Sequence, residues 1–164
     1  MKQKATDMSE FLLEEFLPYE LSVAAIRMSR LFARRYSEEF GLSIAEWRVM
    51  AVVGRFGDIS PGGVVERTEM DKVKVSRATA TLVAAGLLEQ TPDPEDGRVR
   101  RLRLTEHGGQ VHQAIIPRAR AMEAQLAEGL SAEEWSMLRD VLRRLAEYTK
   151  ELDEAERAAG SLHA

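Results

Sequence analysis

Two short extended segments flank a turn-rich tract, and this combination constrains the fold more than any other feature of the chain. The tract is Pro92-Asp-Pro-Glu-Asp-Gly97, which is dense in turn-forming residues. The flanking segments, Leu87–Thr91 and Val99–Leu104, have the residue pattern of strands. In the second segment, arginines alternate with leucines, so one face is basic and the other apolar. The pattern predicts a β-hairpin with a polar tip.

Helical periodicity predicts most of the remaining structure. The predicted helices run from Pro18 to Gly41, from Ser43 to about Phe56, from Pro61 to about Thr68, from Lys72 to Ala85, from Thr105 onward and from Ser131 onward. Capping boxes begin the second and sixth helices, and Ser60 and Asp71 are the expected N-caps of the third and fourth. Gly86 suits the left-handed position that ends the fourth helix. Pro117 lies inside the fifth helix and is expected to kink it. The sequence therefore predicts a mainly α fold with one small hairpin.

The fourth predicted helix has an apolar face and a polar face. The apolar residues, expected to face inward, are Val75, Ala78, Thr79, Leu82 and Ala85. The residues expected to face outward are Lys72, Val73, Ser76, Arg77, Ala80 and Thr81. A short helix and a tight turn precede this helix, as in a helix-turn-helix motif, whose second helix enters the major groove of DNA.

Charge is distributed unevenly, although the whole chain of 164 residues carries only −4. The stretch from Lys72 to Arg103 carries seven basic and four acidic residues. Basic and hydroxyl side chains suit contacts with phosphates and bases. The predicted DNA-binding residues are Ser60, Lys72, Lys74, Ser76, Arg77, Thr81, Arg98, Arg100 and Arg101. Arg98 at the hairpin tip is expected to enter the minor groove, with Asp96 holding its guanidinium. An ordinary solvated surface remains the alternative interpretation of these charges, and for Arg100, Arg101 and Arg103 the alternatives are phosphate contacts and internal salt bridges.

Composition argues against several other classes of protein. The chain has no cysteine and three histidines, so disulfides, thiolate metal sites and thiol redox sensing are excluded. We expect no metal, no cofactor and no catalytic residue, because no group of nucleophile, base and metal ligands converges in the sequence. No run of about 18 apolar residues occurs, and the first residues lack the apolar core of a signal peptide. The expectation is a cytoplasmic protein that is not an enzyme and has no membrane partner.

Three segments together resemble the MarR (multiple antibiotic resistance regulator) family. Asp93-Pro-Glu-Asp-Gly-Arg98 with Arg101-Leu-Arg-Leu-Thr-Glu-His-Gly108 is similar to the family's wing and following helix. Met70-Asp-Lys-Val-Lys-Val-Ser-Arg77 is similar to its recognition helix, and Glu46-Trp-Arg-Val-Met50 to its second helix. The resemblance covers roughly residues 21 to 145. It implies a winged helix-turn-helix homodimer that binds pseudo-palindromic operators, usually as a repressor released by a small ligand. Gly97 stands where many members carry arginine, so the tip is expected to make one fewer basic contact.

The resemblance also implies an effector pocket where the first, second and fifth helices meet. The residues expected to line it are Arg27, Met28, Leu31, Trp47, Arg48, Met50, His112 and Ile115. Apolar and aromatic side chains with a few cations suit an aromatic carboxylate or its acyl thioester. The competing interpretation is that these residues are simply core, and a regulator that has no ligand also fits the sequence.

The expected organisation has four parts. Residues 1–40 form an N-terminal extension and first helix, residues 41–104 a winged helix-turn-helix lobe, residues 105–153 C-terminal helices, and residues 154–164 a frayed tail. The helices of the first and third parts carry apolar stripes that one compact lobe cannot cover, so we expect them to form a homodimer. The alternative function is a winged-helix module for protein interaction. It is disfavoured because the outward face of the fourth helix is basic.

Overall fold

A computed structural model describes residues 11–161 and shows a mainly helical chain with one β-hairpin. Its elements are α1 (Leu17–Phe40), α2 (Ile44–Phe56), α3 (Pro61–Thr68), α4 (Lys72–Ala84), β1 (Leu88–Pro92), β2 (Arg100–Leu104), α5 (Glu106–Ala127) and α6 (Ala132–Ser161), preceded by a 3-10 turn at Leu13–Glu15. The predicted fold class is confirmed. The observed β1 is shifted by one residue at both ends from the predicted strand, and β2 begins one residue later than predicted. The chain forms two compact units that divide between Ile115 and Ile116.

Local sequence signals set most of the helix ends. At the start of α2, the Ser43 hydroxyl accepts a hydrogen bond from the Glu46 amide at 3.3 Å, and the Glu46 carboxylate accepts one from the Ser43 amide at 2.8 Å. The same reciprocal pair begins α6 at Ser131 and Glu134. Each pair satisfies backbone N–H groups that a helix start leaves free. Gly41, after α1, has a φ of 66°, so this position favours glycine.

The core of the first unit joins the hairpin to the helices before it. Val49, Met50 and Val53 of α2 are buried, and so are Val75 and Leu82 of α4. The hairpin adds its own apolar face to this core through Leu88 and Leu102. The strands pair antiparallel, with Leu88 opposite Leu104. Ile59, between α2 and α3, exchanges two backbone hydrogen bonds with Leu102, so the α2–α3 connection acts as a third strand beside β2.

The second unit consists of the rest of α5 and the long α6. Met122 is buried, and Arg139 of α6 donates to Glu123 of α5 at 2.7 Å. The helix α5 runs through Pro117 without ending, and the kink at that residue stays a prediction. Among residues 11–161, no helix has the length and apolar character that crossing a bilayer requires.

The expectation of a frayed tail after Asp153 is wrong as far as Ser161, because α6 continues to that residue. Ion pairs one helical turn apart support the extension. Arg157 lies 2.8 Å from Asp153, and Lys150 lies 3.9 Å from Glu154. Such pairs each stabilise an exposed helix by about 0.2–0.5 kcal/mol. The residues beyond Ser161 lie outside the described part of the chain.

Candidate nucleic-acid interface

The helix α4 exposes a polar face and buries its apolar face, as predicted. Val75, Ala78, Thr79 and Leu82 are buried, whereas Ala85 is exposed, which corrects the sequence-based assignment. Ala85 follows the last residue of the helix and so no longer shares its inner face. The exposed residues of α4 that were predicted to contact DNA are Lys72, Lys74, Ser76, Arg77 and Thr81. All five side chains are therefore open to solvent.

Hydrogen bonds fix how α4 and α3 begin. The Asp71 carboxylate accepts from the Lys74 amide at 2.7 Å, and the Ser60 hydroxyl accepts from the Gly63 amide at 3.1 Å. Both residues are the N-caps that the sequence predicted. The Thr81 hydroxyl donates to the Arg77 carbonyl at 3.1 Å, so this hydroxyl is already engaged with its own helix.

Two hollows flank α4 along its length. The first, which we call the α3 hollow, has a volume of about 420 Å³ and is lined by Pro61, Gly62, Val65, Lys72, Val75, Ser76, Thr79, Ala80 and Gln90. The second, the α2 hollow, has a volume of about 300 Å³ and is lined by Ser43, Ala45, Glu46, Asp71, Val73, Lys74, Arg77, Ala78 and Thr81. The helix α4 therefore projects between two depressions, a shape that suits insertion into a DNA groove bordered by two backbone strands.

Thr79 lies in the wall of the α3 hollow with an unpaired hydroxyl. Its side chain is 5% exposed, and its Oγ1 has no hydrogen-bond partner among residues 11–161. We expect Thr79→Val to raise the free energy of unfolding by about 1 kcal/mol, because it removes a buried hydroxyl that nothing satisfies. Urea unfolding measures the change. Thr81→Val is the control, since this hydroxyl is exposed and bonded, and a loss of stability in Thr79→Val would contradict the prediction.

Carboxylates shape the tip of the wing, the hairpin formed by β1 and β2. Asp93 accepts hydrogen bonds from the amides of Glu95 and Asp96 at 2.8 and 3.1 Å. Asp96 accepts from the backbone amide of Arg98 at 3.0 Å, which corrects the expectation that it holds the guanidinium. A short turn places the amide, rather than the long side chain, next to this carboxylate. The Arg98 side chain is exposed and has no ion pair within residues 11–161, so it is available at the tip.

A cluster of charges joins the wing to the loop between α2 and α3. The Arg101 Nε donates to Asp58 Oδ1 at 3.1 Å, and its Nη2 donates to the Asp58 carbonyl at 3.0 Å. Asp93 lies 3.4 Å from the same Nε, and Arg103 donates to the second oxygen of Asp58. These bonds hold Arg101 at the base of the wing, and its contact with DNA stays a prediction. Arg100, the next residue before it, is exposed.

The pKa values of Asp58 and Asp93 are lowered in the folded protein. For Asp58 the main cause is the hydrogen bond from Arg103, and for Asp93 it is the pair of backbone amides at the tip. A carboxyl whose folded pKa is depressed stabilises the fold above its unfolded pKa. That stabilisation is lost as the pH falls through the folded pKa.

Acid should therefore weaken the wing of the wild-type protein more than that of Asp58→Asn. We expect the variant to be less stable at neutral pH and to lose less stability between about pH 6 and pH 3, because its amide does not titrate. Urea unfolding across that range measures both effects. Asp153→Asn, which removes an exposed pair of small expected worth, should behave as the wild type does. Parallel curves for wild type and Asp58→Asn would show that this carboxylate does not stabilise the wing.

The residues predicted to bind an effector divide into three groups. Met50 and Ile115 are fully buried core residues. Trp47 and His112 pack together with 5.9 Å between ring centroids, and burial lowers the pKa of His112. The exposed members are Arg27, Met28 and Arg48, and Leu31 is half-buried. Trp47 also contacts the buried Tyr36 at 5.6 Å, so these rings form an aromatic cluster that helps to pack α1, α2 and α5.

Two residues of the interface were missed by the sequence reasoning. Asp58 organises the wing base although its partners lie 43 and 45 residues away in the chain. Gln90 of β1 lines the α3 hollow beside Lys72 and Ser76. No local pattern marks either residue, because each gains its place only when the hairpin folds against the helices.

A helix-turn-helix with a basic exposed second helix and an arginine-tipped wing defines the first unit as a winged-helix lobe. Comparison with known proteins agrees. A family model described as "MarR family" matches residues 40–99. An uncharacterized HTH-type transcriptional regulator of Mycobacterium bovis is 28% identical over 131 residues, which is 80% of this chain and 88% of that protein. The chain belongs to the MarR family and is a transcriptional regulator, as the sequence resemblance implied.

Solved structures share the fold. BpsR of Bordetella bronchiseptica, whose DNA binding is regulated by 6-hydroxynicotinic acid, is 24% identical with a TM-score of 0.77, over 83% of this chain and 96% of that one. FabT of Streptococcus pneumoniae, solved in complex with DNA, is 22% identical with a TM-score of 0.69, again over 83% and 96%. The matches cover most of both chains, so the fold similarity extends beyond the winged-helix lobe.

Proposed function

We propose that this regulator is a repressor that binds pseudo-palindromic operator DNA as a homodimer and is released by a small organic acid. The observation that carries the proposal is the exposed part of α4, where Lys72 and Ser76 border the α3 hollow and Lys74 and Arg77 border the α2 hollow. An α-helix of this kind fits the major groove, and the DNA strands on either side of the groove then lie over the hollows. The FabT–DNA complex supports DNA as the partner of this fold.

The two hollows differ in charge, and this difference predicts how the DNA strands are held. The α3 hollow has Lys72 at its edge and lies beside the first turn of α3, where Gly62 leaves the backbone accessible. A helix start favours anions, so we assign a phosphate contact to this side and add Gln90 to the predicted contacts. The α2 hollow contains Glu46 and Asp71, which repel phosphate. On that side, Arg77 and Lys74 are the residues expected to contact DNA.

The wing is expected to add a contact in the minor groove through Arg98. Replacing this residue by alanine should weaken operator binding and make the dependence of log affinity on log salt shallower, by about 0.9 for each phosphate that the arginine neutralises. Fluorescence anisotropy across a salt series measures the slope. Arg34→Ala removes an exposed arginine of α1 and should leave the slope unchanged. An unchanged slope for Arg98→Ala would show that the wing arginine does not reach DNA.

Exposed apolar side chains on α6 support the homodimer. Leu138 and Leu152 lie 14 residues apart with the half-buried Leu145 midway, and Val141 and Tyr148 repeat the same seven-residue step. This spacing is the seam of a helix that pairs with another helix. In the N-terminal part, Phe11, Phe16 and Leu17 are also exposed. A second copy is the simplest cover for both surfaces, and it would place two α4 helices about one helical turn of DNA apart.

For the effector we propose an aromatic acid or its acyl thioester. The support is the regulation of BpsR by 6-hydroxynicotinic acid, together with Arg27 and Arg48, two exposed cations on helices that contribute rings to the aromatic cluster. A ligand releases DNA only if it binds the DNA-incompetent conformation more tightly than the competent one.

The experiment is a gel-shift titration on the DNA that flanks the protein's own gene, at several salt concentrations, with a panel of aromatic acids and acyl thioesters. Salt-sensitive, sequence-specific binding relieved by one panel member supports the whole proposal. Specific binding that no compound relieves supports the DNA-binding function and removes the effector. Specific binding by a species that sedimentation shows to be monomeric contradicts the homodimer. Absence of specific binding at every salt concentration favours the alternative, a winged-helix protein-interaction module.

A further inference from the structure

An open groove runs along α1 on the side that carries none of the aromatic cluster. Its larger part has a volume of about 710 Å³ and is lined by small α1 residues, by the start of α2 and by Lys74 of α4. Ser29, Ala33 and Ser37 lie at four-residue steps along α1, so one face of this helix carries small side chains. We call this depression the α1–α2 groove. Its volume lies within the range of small-molecule sites.

The groove continues toward the start of α1. A neighbouring hollow of about 350 Å³ shares Ser29, Ala33 and Ile44 with the larger part and adds Ala25 and Ile26. From Ile26 to Gly41 the groove follows about 16 residues of α1, or roughly 24 Å at 1.5 Å per residue. Arg30 borders the far hollow, where its methylene stem adds apolar surface and its exposed head stays in water. The far part is therefore long, narrow and mainly apolar.

The near part carries a small positive charge. Arg48 and Lys74 both line it, and neither forms an ion pair among residues 11–161. Glu46 also lines it, but its carboxylate is held by the Ser43 amide in the capping box. Two cations and one carboxylate leave a net charge of +1 at this end. A single carboxylate matches that charge better than a dianionic phosphate does, and guanidinium binds carboxylate with two parallel hydrogen bonds.

From these features we infer that the α1–α2 groove binds an elongated apolar monocarboxylate, with its head at Arg48 and Lys74 and its apolar body along α1 toward Ile26. This inference rests on the proposed DNA-binding function and adds a binding site for an acid of a class distinct from the aromatic effector proposed above. Of the eight residues that the sequence predicted for the effector, only Arg48 lines this groove.

Lys74 connects the groove to DNA binding. The same side chain lies on α4, where it is a predicted DNA contact, and in the wall of the groove. A carboxylate in the groove competes with DNA for this ammonium group. Coupling between two binding events is reciprocal, so operator DNA should weaken carboxylate binding by the same factor that the carboxylate weakens DNA binding.

The test is isothermal titration calorimetry of the full-length protein with octanoate, decanoate and dodecanoate, each below its micelle-forming concentration. Affinity should rise about fivefold for each added pair of methylenes, because these are partly buried along α1. Octyl glucoside, an uncharged amphiphile, should bind more weakly than octanoate. Arg48→Gln should weaken dodecanoate binding by about tenfold or more. Arg34→Gln, which removes an exposed arginine of α1 that lines neither part of the groove, should leave dodecanoate binding unchanged.

Two substitutions fill the groove, and each should abolish dodecanoate binding: Ala33→Leu and, at an exposed position, Ser37→Leu. Retained thermal unfolding transitions show that these variants fold. In the same samples, dodecanoate should weaken operator binding of the wild type about tenfold and that of Arg48→Gln much less. Equal dodecanoate binding by all variants overturns the inference and shows that the observed binding is adventitious association of a surfactant. If the wild type binds no carboxylate and the groove-filling variants sediment differently from the wild type, the inference is overturned in favour of a second copy in the groove. Neither result touches the proposed DNA binding, which fails only if the wild type binds no operator.

Discussion

Gly108→Ala should destabilise the first unit by about 3 kcal/mol or more, because its new Cβ has no room. That atom would lie 1.9 Å from the carbonyl oxygen of Leu87 and 2.9 Å from its carbonyl carbon. Both are backbone atoms, so no side-chain rotation relieves the overlap. The same carbonyl oxygen accepts a hydrogen bond from the Thr105 amide at 3.1 Å. Overpacking usually costs about 1–3 kcal/mol and more where the backbone must move, against a typical total of about 5–15 kcal/mol.

Gly109 provides the matched control, since it is the next residue in the same helical turn and a Cβ there meets nothing within 4 Å. Gly109→Ala should stabilise the protein by about 0.5–1 kcal/mol, because alanine loses less conformational freedom in a helix. Urea unfolding of the two variants should therefore give shifts of opposite sign. A Gly108→Ala variant as stable as the wild type would contradict the close packing of α5 against the residue before β1.

The features that sequence reasoning predicted well are those whose causes are local. Ser43 and Glu46, Ser131 and Glu134, and the N-caps Ser60 and Asp71 each act within three residues of the chain, so the sequence contains the whole interaction. The exposed face of α4 follows from helical periodicity, which is also local. The position of the exposed basic face was therefore predictable without a structure.

Features that depend on long-range packing were missed. Arg101 donates hydrogen bonds to Asp58, 43 residues earlier, and only the pairing of β2 with the α2–α3 loop brings the two residues together. The sequence shows arginines on one face of a strand and cannot distinguish one that contacts DNA from one that holds the wing. The sequence likewise cannot distinguish effector-binding residues from core residues, because aromatic and apolar side chains at helical spacing occur in both. Met50 and Ile115 proved to be core.

Arg77→Ala should reduce operator affinity more than any other single change on α4. Arg77 is exposed and borders the α2 hollow, where the neighbouring Glu46 and Asp71 disfavour phosphate. A guanidinium in that position is better suited to a base edge than to the DNA backbone, and its fork matches the two acceptors of guanine. The expected decrease is about 1–3 kcal/mol in each half-site, with relaxed preference at one base position. Anisotropy titrations on the operator and on single-base variants of it measure both effects.

Arg77→Lys separates base recognition from charge, because lysine keeps the positive charge but cannot form the bidentate bond. If Arg77 contacts a guanine, the lysine variant should lose preference at the same base position as the alanine variant and keep more of the wild-type salt dependence. If Arg77 only neutralises phosphate, lysine should restore most of the affinity, and no base position should become less selective. Equal operator binding by wild type and Arg77→Ala would show that this face of α4 does not read DNA. The wing and the α3 hollow would then have to supply the contacts by themselves.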